Sequence, residues 1–367
     1  MRIDFIITEL FVGGAEKCLT EVALSLHRQG DAIRVFSIGS LPTGNQRQLV
    51  SKMEDAGIVV ESAECDSLRN VISGFQFLKH RLQENRPDLV QTFLHHANIL
   101  GVQAAKSAGV MKCIAAIRVA ESHRLRNHLE RLSLRRVDHT LCVSQAVERF
   151  AQNVLRCKPD KTSVIPNGVD LTQFHDKTPR EWESIGWPAD SEVILFLGRL
   201  NPQKGIDLLE KQVDRLVPVG TKRKLLLIGD GPLRAEVEQW VKRVGEDRVQ
   251  CLPWQPEVAS WIQACNLMIL PSRFEGMPNV LLEAMATGKP VVCSLVEGSE
   301  ELLDSTNTLQ GFKPGSSSEM ADRVCHLMDH PELGQQLGFE NRKRISKNHS
   351  MPSVMDQYRD FYRSILT

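Results

Sequence analysis

Ser272-Arg-Phe-Glu-Gly-Met-Pro-Asn-Val-Leu-Leu-Glu-Ala-Met-Ala-Thr-Gly288 is the stretch around which the rest of this chain is organised. An apolar strand over residues 266–270 runs into it, and Pro271-Ser272 stops that strand. A loop carrying Glu275 and Gly276 follows. Pro278 stands where a helix begins, a position at which its fixed φ helps and its missing N–H costs nothing. Val280, Leu281, Leu282, Ala284, Met285 and Ala286 make that helix apolar on nearly every side, which predicts burial. Gly288 stops it, and Lys289-Pro290 leads into a second strand over 291–294. Glu283 lies in the middle of the helix, where a carboxylate is costly unless something donates hydrogen bonds to it. Two readings stand: a buried salt bridge to a distant Lys or Arg, or a ligand whose hydroxyls satisfy the carboxylate. Glu275 brings a second carboxylate to the helix N-terminus, whose free N–H groups suit a phosphate. Carboxylates for hydroxyls beside N–H groups for phosphate point to a sugar joined to a nucleotide.

Working outward, the second half of the chain repeats one alternation. A strand over 193–197 leads to Gly198-Arg199-Leu-Asn-Pro-Gln-Lys204-Gly205 and a helix over 206–216. A strand over 224–228 leads to Gly229-Asp-Gly231-Pro232 and a helix over 233–244. A strand over 249–252 passes Trp254 to a short helix over 258–264, and the strand at 291–295 is followed by Glu297-Gly-Ser-Glu-Glu301. Strands alternating with helices predict a parallel sheet whose strand-end loops line one edge and form a crevice. Arg199 and Lys204 share the first of those loops. Two fixed cations flanked by glycines suit a diphosphate better than they suit a plain surface.

The first half opens the same way, with a strand over 3–8, a glycine loop and a helix over 15–29. Val12-Gly-Gly-Ala-Glu16 is not G-x-G-x-x-G, so a dinucleotide site is poorly supported. Gly13 and Gly14 allow close backbone approach to a ligand, and a plain turn explains them equally well. A helix over 75–84 and a strand over 88–93 lead to Leu94-His95-His96-Ala-Asn98, at the sheet edge where open α/β folds hold ligands. One of these histidines as a catalytic or sugar-contacting group, or both facing solvent, are the two readings; no third ligand is spaced for a metal. From Arg118 to Arg136 six arginines stand against two acids, with Leu125, Leu129 and Leu132 at helical spacing. Such a stretch is a solvated helix face, or one that attracts an anionic lipid surface or a pyrophosphate-bearing acceptor. Strands over 140–144 and 163–166 close this half. Pro166-Asn-Gly-Val-Asp170 is turn chemistry, and the polar residues through Pro188 read as a connection, which sets a domain boundary near 170–190.

The whole chain fits two domains: 367 residues are many for one core. With 45 basic and 45 acidic residues, the net charge of zero gives no reason to expect nucleic acid. Nine scattered cysteines without a C-x-x-C pair read as buried free thiols in a reducing cytoplasm, not as metal ligands or disulfides. The N-terminus reads as a strand with an acid in it, not a signal peptide, and no apolar run approaches the ~18 residues of a membrane span. Membrane contact is therefore expected to be peripheral, at the inner face of the cytoplasmic membrane.

These motifs, in this order, resemble the retaining glycosyltransferases of the GT-B fold, glycosyltransferase family 4. Gly13-Gly14-Ala-Glu16, Pro166-Asn-Gly-Val-Asp170, Gly198-Arg199 with Lys204-Gly205, Gly229-Asp-Gly231-Pro232 and the pair Glu275…Glu283 carry the resemblance over nearly the whole chain. It implies an α/β architecture of two Rossmann-like parallel-sheet domains facing an interdomain cleft. Residues 1–175 would form the acceptor side, 176–345 the donor side, and 346–367 a helix crossing back to the first domain. The implied reaction moves a sugar from a nucleoside diphosphate sugar, UDP- or GDP-linked, to a hydroxyl of a glycan or lipid-linked acceptor. Lipopolysaccharide, capsule or exopolysaccharide synthesis is the setting it suggests. Arg199 and Lys204 would neutralise the departing diphosphate, so that no metal and no further cofactor is needed. Glu275 and the backbone around Gly276, Met277, Pro278, Asn279 and Val280 would contact donor sugar and phosphates, with Leu282 beside them, and Glu283 would bind the ribose. Gly231, Gly13 and Gly14 join the donor-binding set, His96 ahead of His95 is the catalytic histidine, and the segment near Trp254 would receive the base. Two departures stand out: Arg118 where many relatives have histidine, and a single glycine in Glu297-Gly298 where they often have two. An epimerase or hydrolase on the same fold, or a non-catalytic binding module, are the rival readings.

Overall fold

The computed structural model describes residues 1–121, 123–174 and 177–367. The chain forms two compact units, Met1–Asn167 together with Pro352–Thr367, and Gly168–Met351.

The first unit holds seven strands, β1 (Arg2–Ile7), β2 (Ala32–Ser37), β3 (Val59–Ser62), β4 (Leu89–Phe93), β5 (Lys112–Ile117), β6 (His139–Cys142) and β7 (Thr162–Val164). They are ordered β3-β2-β1-β4-β5-β6-β7, every pair parallel. Central strands of such a sheet are covered on both faces, so they read as continuous apolar runs without alternation. Thus Ile3, Phe5, Ile6 and Ile7 of β1 are all fully buried, as is every residue of β4. Asp4, equally buried, is the one polar residue inside that run. The sequence reading passed over the helix Gln48–Asp55 and β3, a short edge strand with Val59 half exposed. The last helix, Met351–Leu366, buries Val354, Met355, Tyr358 and Tyr362, and the Tyr362 hydroxyl donates to Gln91 Oε1 of β4 at 2.6 Å.

The second unit has six strands, β8 (Glu192–Leu197), β9 (Arg223–Ile228), β10 (Val249–Leu252), β11 (Leu267–Leu270), β12 (Val291–Ser294) and β13 (Gly311–Phe312). Their order is β10-β9-β8-β11-β12-β13, again parallel throughout. Three local expectations are corrected. The helix expected over 206–216 breaks into Ile206–Lys211 and Val213–Leu216, because the backbone leaves helical geometry at Gln212, whose amide donates to Ser317 Oγ. Pro278 caps the next helix from outside with an extended ψ of 115°, so that helix is Asn279–Ala286. Glu297-Gly-Ser-Glu-Glu301, read as a loop, starts a short helix, Glu297–Leu303.

The boundary expected at 175/176 lies outside the described residues. The units divide between Asn167 and Gly168, because the Val169 N–H donates to His349 O at 2.8 Å and Val169 bridges to Ser350. Residues 346–351 stay with the second unit, because the helix Pro331–Asn348 continues past 345 and the next residues pair with Val169, which accepts from the Met351 N–H at 2.9 Å. Among the described residues no helix is long and apolar enough to cross a membrane.

Candidate active site

In each sheet the strand order reverses once, between β1 and β4 and between β8 and β11. Loops leaving two strands on either side of such a point diverge and open a crevice at the C-terminal edge. Most of the sequence-predicted residues lie at these two places.

In the second unit the loops after β8 and β11 are zipped together. The Arg273 N–H donates to Gln203 O at 2.7 Å, and Gln203 Nε2 donates back to Phe274 O at 2.9 Å. The Arg273 guanidinium grips both Asp207 oxygens, at 2.8 and 3.0 Å. Gly205 turns with φ +66°, and a Cβ there would lie 2.1 Å from Pro271 O, so only glycine permits this approach. The zipper puts the Lys204 ammonium on Glu275 Oε1, which also accepts from Ser272 Oγ at 2.7 Å. Lys204 and Glu275 are largely buried, with side chains 15% and 8% exposed. On the other side of the loop, the Glu275 N–H donates to Glu297 Oε2 at 3.0 Å. Arg199, in the same β8 loop, is exposed, with no ion-pair partner among the described residues. Gly231 lies under that loop, where Leu233 N–H donates to Leu200 O at 2.9 Å.

Gly276, Met277 and Pro278 are buried just ahead of the helix Asn279–Ala286, with Asn279 and Val280 half-buried in its first turn. Leu282 points into the core, while Glu283 is 8% exposed. Trp254, further along the sheet edge, is fixed by its N–H donating to Asp230 Oδ2 at 2.8 Å. A separate hollow of about 530 Å³, lined by Glu210, Glu236, Gln239, Lys242 and Arg243, shares none of these residues.

In the first unit the reversal brings Gly13-Gly14 and the histidine pair to the ends of β1 and β4. Gly13 caps the helix Gly14–Arg28 without a side chain, and Glu16 is buried in its first turn. His95 is buried, its Nδ1 2.9 Å from Glu130 Oε2. Glu130 Oε1 accepts from Asn98 Nδ2 at 2.8 Å, and Asn98 Oδ1 accepts from Thr92 Oγ1 at 2.7 Å. An ionised carboxylate only accepts, so in this network Nδ1 of His95 is the donor and the ring's orientation is fixed. His96 is exposed, stacked edge-on against His95 with ring centres 5.4 Å apart. Partial desolvation, with His95 and Arg126 nearby, holds His96 below the usual histidine pKa. Sequence reasoning missed Glu130 and Ser272. Glu130 was counted only as one acid among arginines, although it falls on the helix face opposite Leu125, Leu129 and Leu132.

Arg118 is buried and donates to Asn167 Oδ1, with the Tyr358 hydroxyl and Cys18 thiol beside it. Further on, the helix Arg124–Leu134 turns Glu130, Ser133 and Leu134 inward. Its leucines face out: Leu125 is 67%, Leu129 45% and Leu132 44% exposed, beside exposed Arg124, Arg135 and Arg136.

Known proteins share this plan. Residues 12–173 match the profile of Glycosyltransferase Family 4, and residues 191–330 match that of Glycosyl transferases group 1. An uncharacterized glycosyltransferase of Methanocaldococcus jannaschii is 29% identical over 62% of this chain and 60% of its own length. The UDP-Gal:alpha-D-GlcNAc-diphosphoundecaprenol alpha-1,3-galactosyltransferase of Escherichia coli is 27% identical over 76% of this chain and 78% of its own. The match to the alpha-D-kanosaminyltransferase of Streptomyces kanamyceticus, at 30% identity, spans 48% of this chain and 46% of that protein. The chain thus spans about half to four fifths of the length of these curated relatives. Anabaena HepE, solved in complex with UDP-glucose, superposes with a TM-score of 0.86 over 99% of this chain and 100% of its own, at 21% identity. With the two profiles in tandem over most of its length and this fold, the chain belongs to the group 1 glycosyltransferases, family 4, of GT-B architecture.

Proposed function

We propose that this chain transfers a sugar from a nucleoside diphosphate sugar to an acceptor hydroxyl, with retention at the anomeric carbon. The observation that carries the reading is the Lys204–Glu275–Ser272 cluster at the β8/β11 reversal, directly ahead of the helix Asn279–Ala286. The physical task is to stabilise an oxocarbenium-like centre and a departing diphosphate. Positioned cations and backbone N–H groups do this without a covalent intermediate. Lys204 and Arg199 are the cations, and the Gly276–Val280 segment, in which Pro278 alone lacks an N–H, meets the phosphates. Glu275 takes sugar hydroxyls, and Glu283 takes the ribose. With two cations in place, the reaction is assigned no metal and no further cofactor.

Gly13, Gly14 and the histidine pair belong to the first unit, Gly13 and Gly14 as part of the donor-binding set in this reading and the histidines as the catalytic candidates. Of the two histidines His95 has the fixed ring, and His96 is the one free to meet an incoming ligand. HepE was solved with UDP and with UDP-glucose, and the E. coli relative is named for a diphosphoundecaprenol-linked acceptor; both favour a UDP-sugar and a lipid-linked glycan here. The exposed leucines and arginines of Arg124–Leu134 suit peripheral contact with an anionic bilayer on the cytoplasmic side, where such an acceptor would be met.

Nucleotide release from UDP- and GDP-sugars, with and without a polyprenyl-diphosphate-linked sugar and in the presence of EDTA, tests the proposal. Acceptor-dependent release supports transfer. Release of nucleotide without acceptor supports a hydrolase, conversion of the donor into another sugar nucleotide an epimerase, and binding without turnover a non-catalytic module. Lys204→Ala is expected to lower kcat more than a hundredfold with an unchanged circular dichroism spectrum; near-normal turnover would remove Lys204 from the mechanism.

A further inference from the structure

The segment Arg273–Met277 belongs to neither a strand nor a helix, so no regular ladder holds the backbone of Glu275. The end of β12 and the first turn of the helix Glu297–Leu303 do so at three points. Ser294 Oγ donates to Ser272 O, Glu297 Oε2 accepts the Glu275 N–H at 3.0 Å, and Gly298 presses on the Gly276–Met277 backbone. A Cβ at residue 298 would lie 2.1 Å from Gly276 O, so the contact is as close as two backbones can make it. Glu297 is therefore held against this loop by its neighbour, and its carboxylate reaches the one backbone donor that sets the direction of the Glu275 side chain.

We propose that Glu297 is a positioning residue for the donor sugar: by accepting the Glu275 N–H it fixes the place of the Glu275 carboxylate. The proposal rests on the reading of Glu275 as a sugar contact. Two carboxylates so close would repel. One is matched by the Lys204 ammonium and Ser272 hydroxyl, the other by an amide N–H, and the Cys293 thiol of β12 lies buried behind Glu275. Charge-assisted bonds of this kind are roughly twice as strong as neutral ones. Burial, and then the Glu275 charge, push Glu297 above the usual carboxylate range, and the amide bond only partly offsets this. Protonation on lowering the pH therefore weakens the grip on Glu275 before ordinary carboxylates titrate, and donor-sugar binding weakens with it.

Calorimetric titration with UDP and UDP-glucose, or the guanine pair if the wild type prefers it, separates nucleotide from sugar recognition. Glu297→Ala is expected to raise the Kd and KM for the sugar nucleotide about tenfold, with the nucleotide Kd within twofold of wild type. Glu297→Gln, whose amide oxygen still accepts, is expected a few-fold above wild type at neutral pH with a flat acid limb, while wild-type KM rises towards it as pH falls. Glu275→Ala is the control on the underlying reading and should erase the affinity difference between UDP-glucose and UDP. If Glu275→Ala keeps that difference, the sugar role of Glu275 fails. If Glu275→Ala erases it but Glu297→Ala keeps wild-type values, or loses nucleotide and sugar nucleotide equally, the Glu297 proposal fails alone. Should Glu297→Ala not fold, Glu297→Gln decides: a retained wild-type pH slope overturns the proposal.

Discussion

Two single residues carry charges that the fold treats in opposite ways. Asp4 lies in β1 with none of its surface exposed, held by Asn85 Nδ2 on one oxygen and by nothing on the other. Burial raises its pKa from 3.8 to about 6, against the smaller pull of Asn85, Arg34 and Arg2 and with Glu61 adding to the rise. The folded state thus binds this proton more tightly than the unfolded chain does, so its stabilisation is complete at low pH and is lost as pH rises from about 4 through about 6. Asp4→Asn keeps the acceptor for Asn85 and removes the charge. It is expected to stabilise the protein at pH 7.5 by on the order of 2–3 kcal/mol, with little effect near pH 4, as denaturant titrations at the two pH values would show. Equal effects at both would mean that the charge is not what costs. Glu130 is the reverse case, a buried carboxylate with both oxygens used, on His95 and Asn98. Glu130→Gln would let the His95 ring choose the other tautomer, and turnover is expected to fall at least tenfold with donor KM unchanged. Unaltered kcat in a folded variant would show that the His95 orientation does not matter to the reaction.

At the scale of the element, the helix Arg124–Leu134 has two jobs on two faces. Inside, it delivers Glu130 and Ser133; outside, it shows Leu125, Leu129 and Leu132 between arginines. Its only acid, Glu130, is turned inward, and its exposed residues are Arg124, Leu125, His128, Leu129 and Leu132, none of them acidic. Each basic residue near an anionic surface contributes about 1 kcal/mol, and the leucines add what they bury. A Leu125→Ser, Leu129→Ser, Arg135→Glu variant is expected to lose vesicle binding by more than tenfold on phosphatidylglycerol-rich liposomes, with activity on a water-soluble acceptor retained. Binding equal to wild type in co-sedimentation would leave this face simply solvated. The same helix shows how far the sequence could be read. The strand–loop–helix alternation was plain, because central parallel strands are apolar throughout, and it led directly to the loops that hold Lys204, Glu275 and His95. What stayed hidden were partners distant along the chain: Glu297 on the Glu275 amide, Glu130 on His95, Arg273 on Asp207. No local period encodes such pairs; they follow from strand order, which only the assembled sheets reveal. Helix breaks such as that at Gln212 were equally invisible, since the apolar spacing runs on across the break.

On the scale of the molecule, the chain passes from the first unit to the second after Asn167 and returns after Met351, so its last helix completes a sheet unit begun at its first residue. That return is anchored by buried polar groups: Tyr362 on Gln91, and Tyr358 beside Arg118, which also holds Asn167. Nature has sorted the chromophores between the units. All five tryptophans, Trp182, Trp187, Trp240, Trp254 and Trp261, lie in Gly168–Met351, and both tyrosines lie in the returning helix. Tryptophan fluorescence therefore follows the second unit alone. In Tyr362→Phe the Gln91 Oε1 atom loses its donor, and Gln91 Nε2 already has no partner, so a fully buried amide is left unsatisfied. Such a loss costs about 1–3 kcal/mol, which lowers a melting temperature by roughly 2–4 °C per kcal/mol for a domain of this size. The expected result is a lowered transition for the first unit in far-ultraviolet circular dichroism, with the tryptophan transition where it was. A tryptophan transition that falls by the same amount would mean that both units melt as one cooperative body, and unchanged melting by either probe would mean that the Tyr362–Gln91 bond contributes nothing to holding the returning helix.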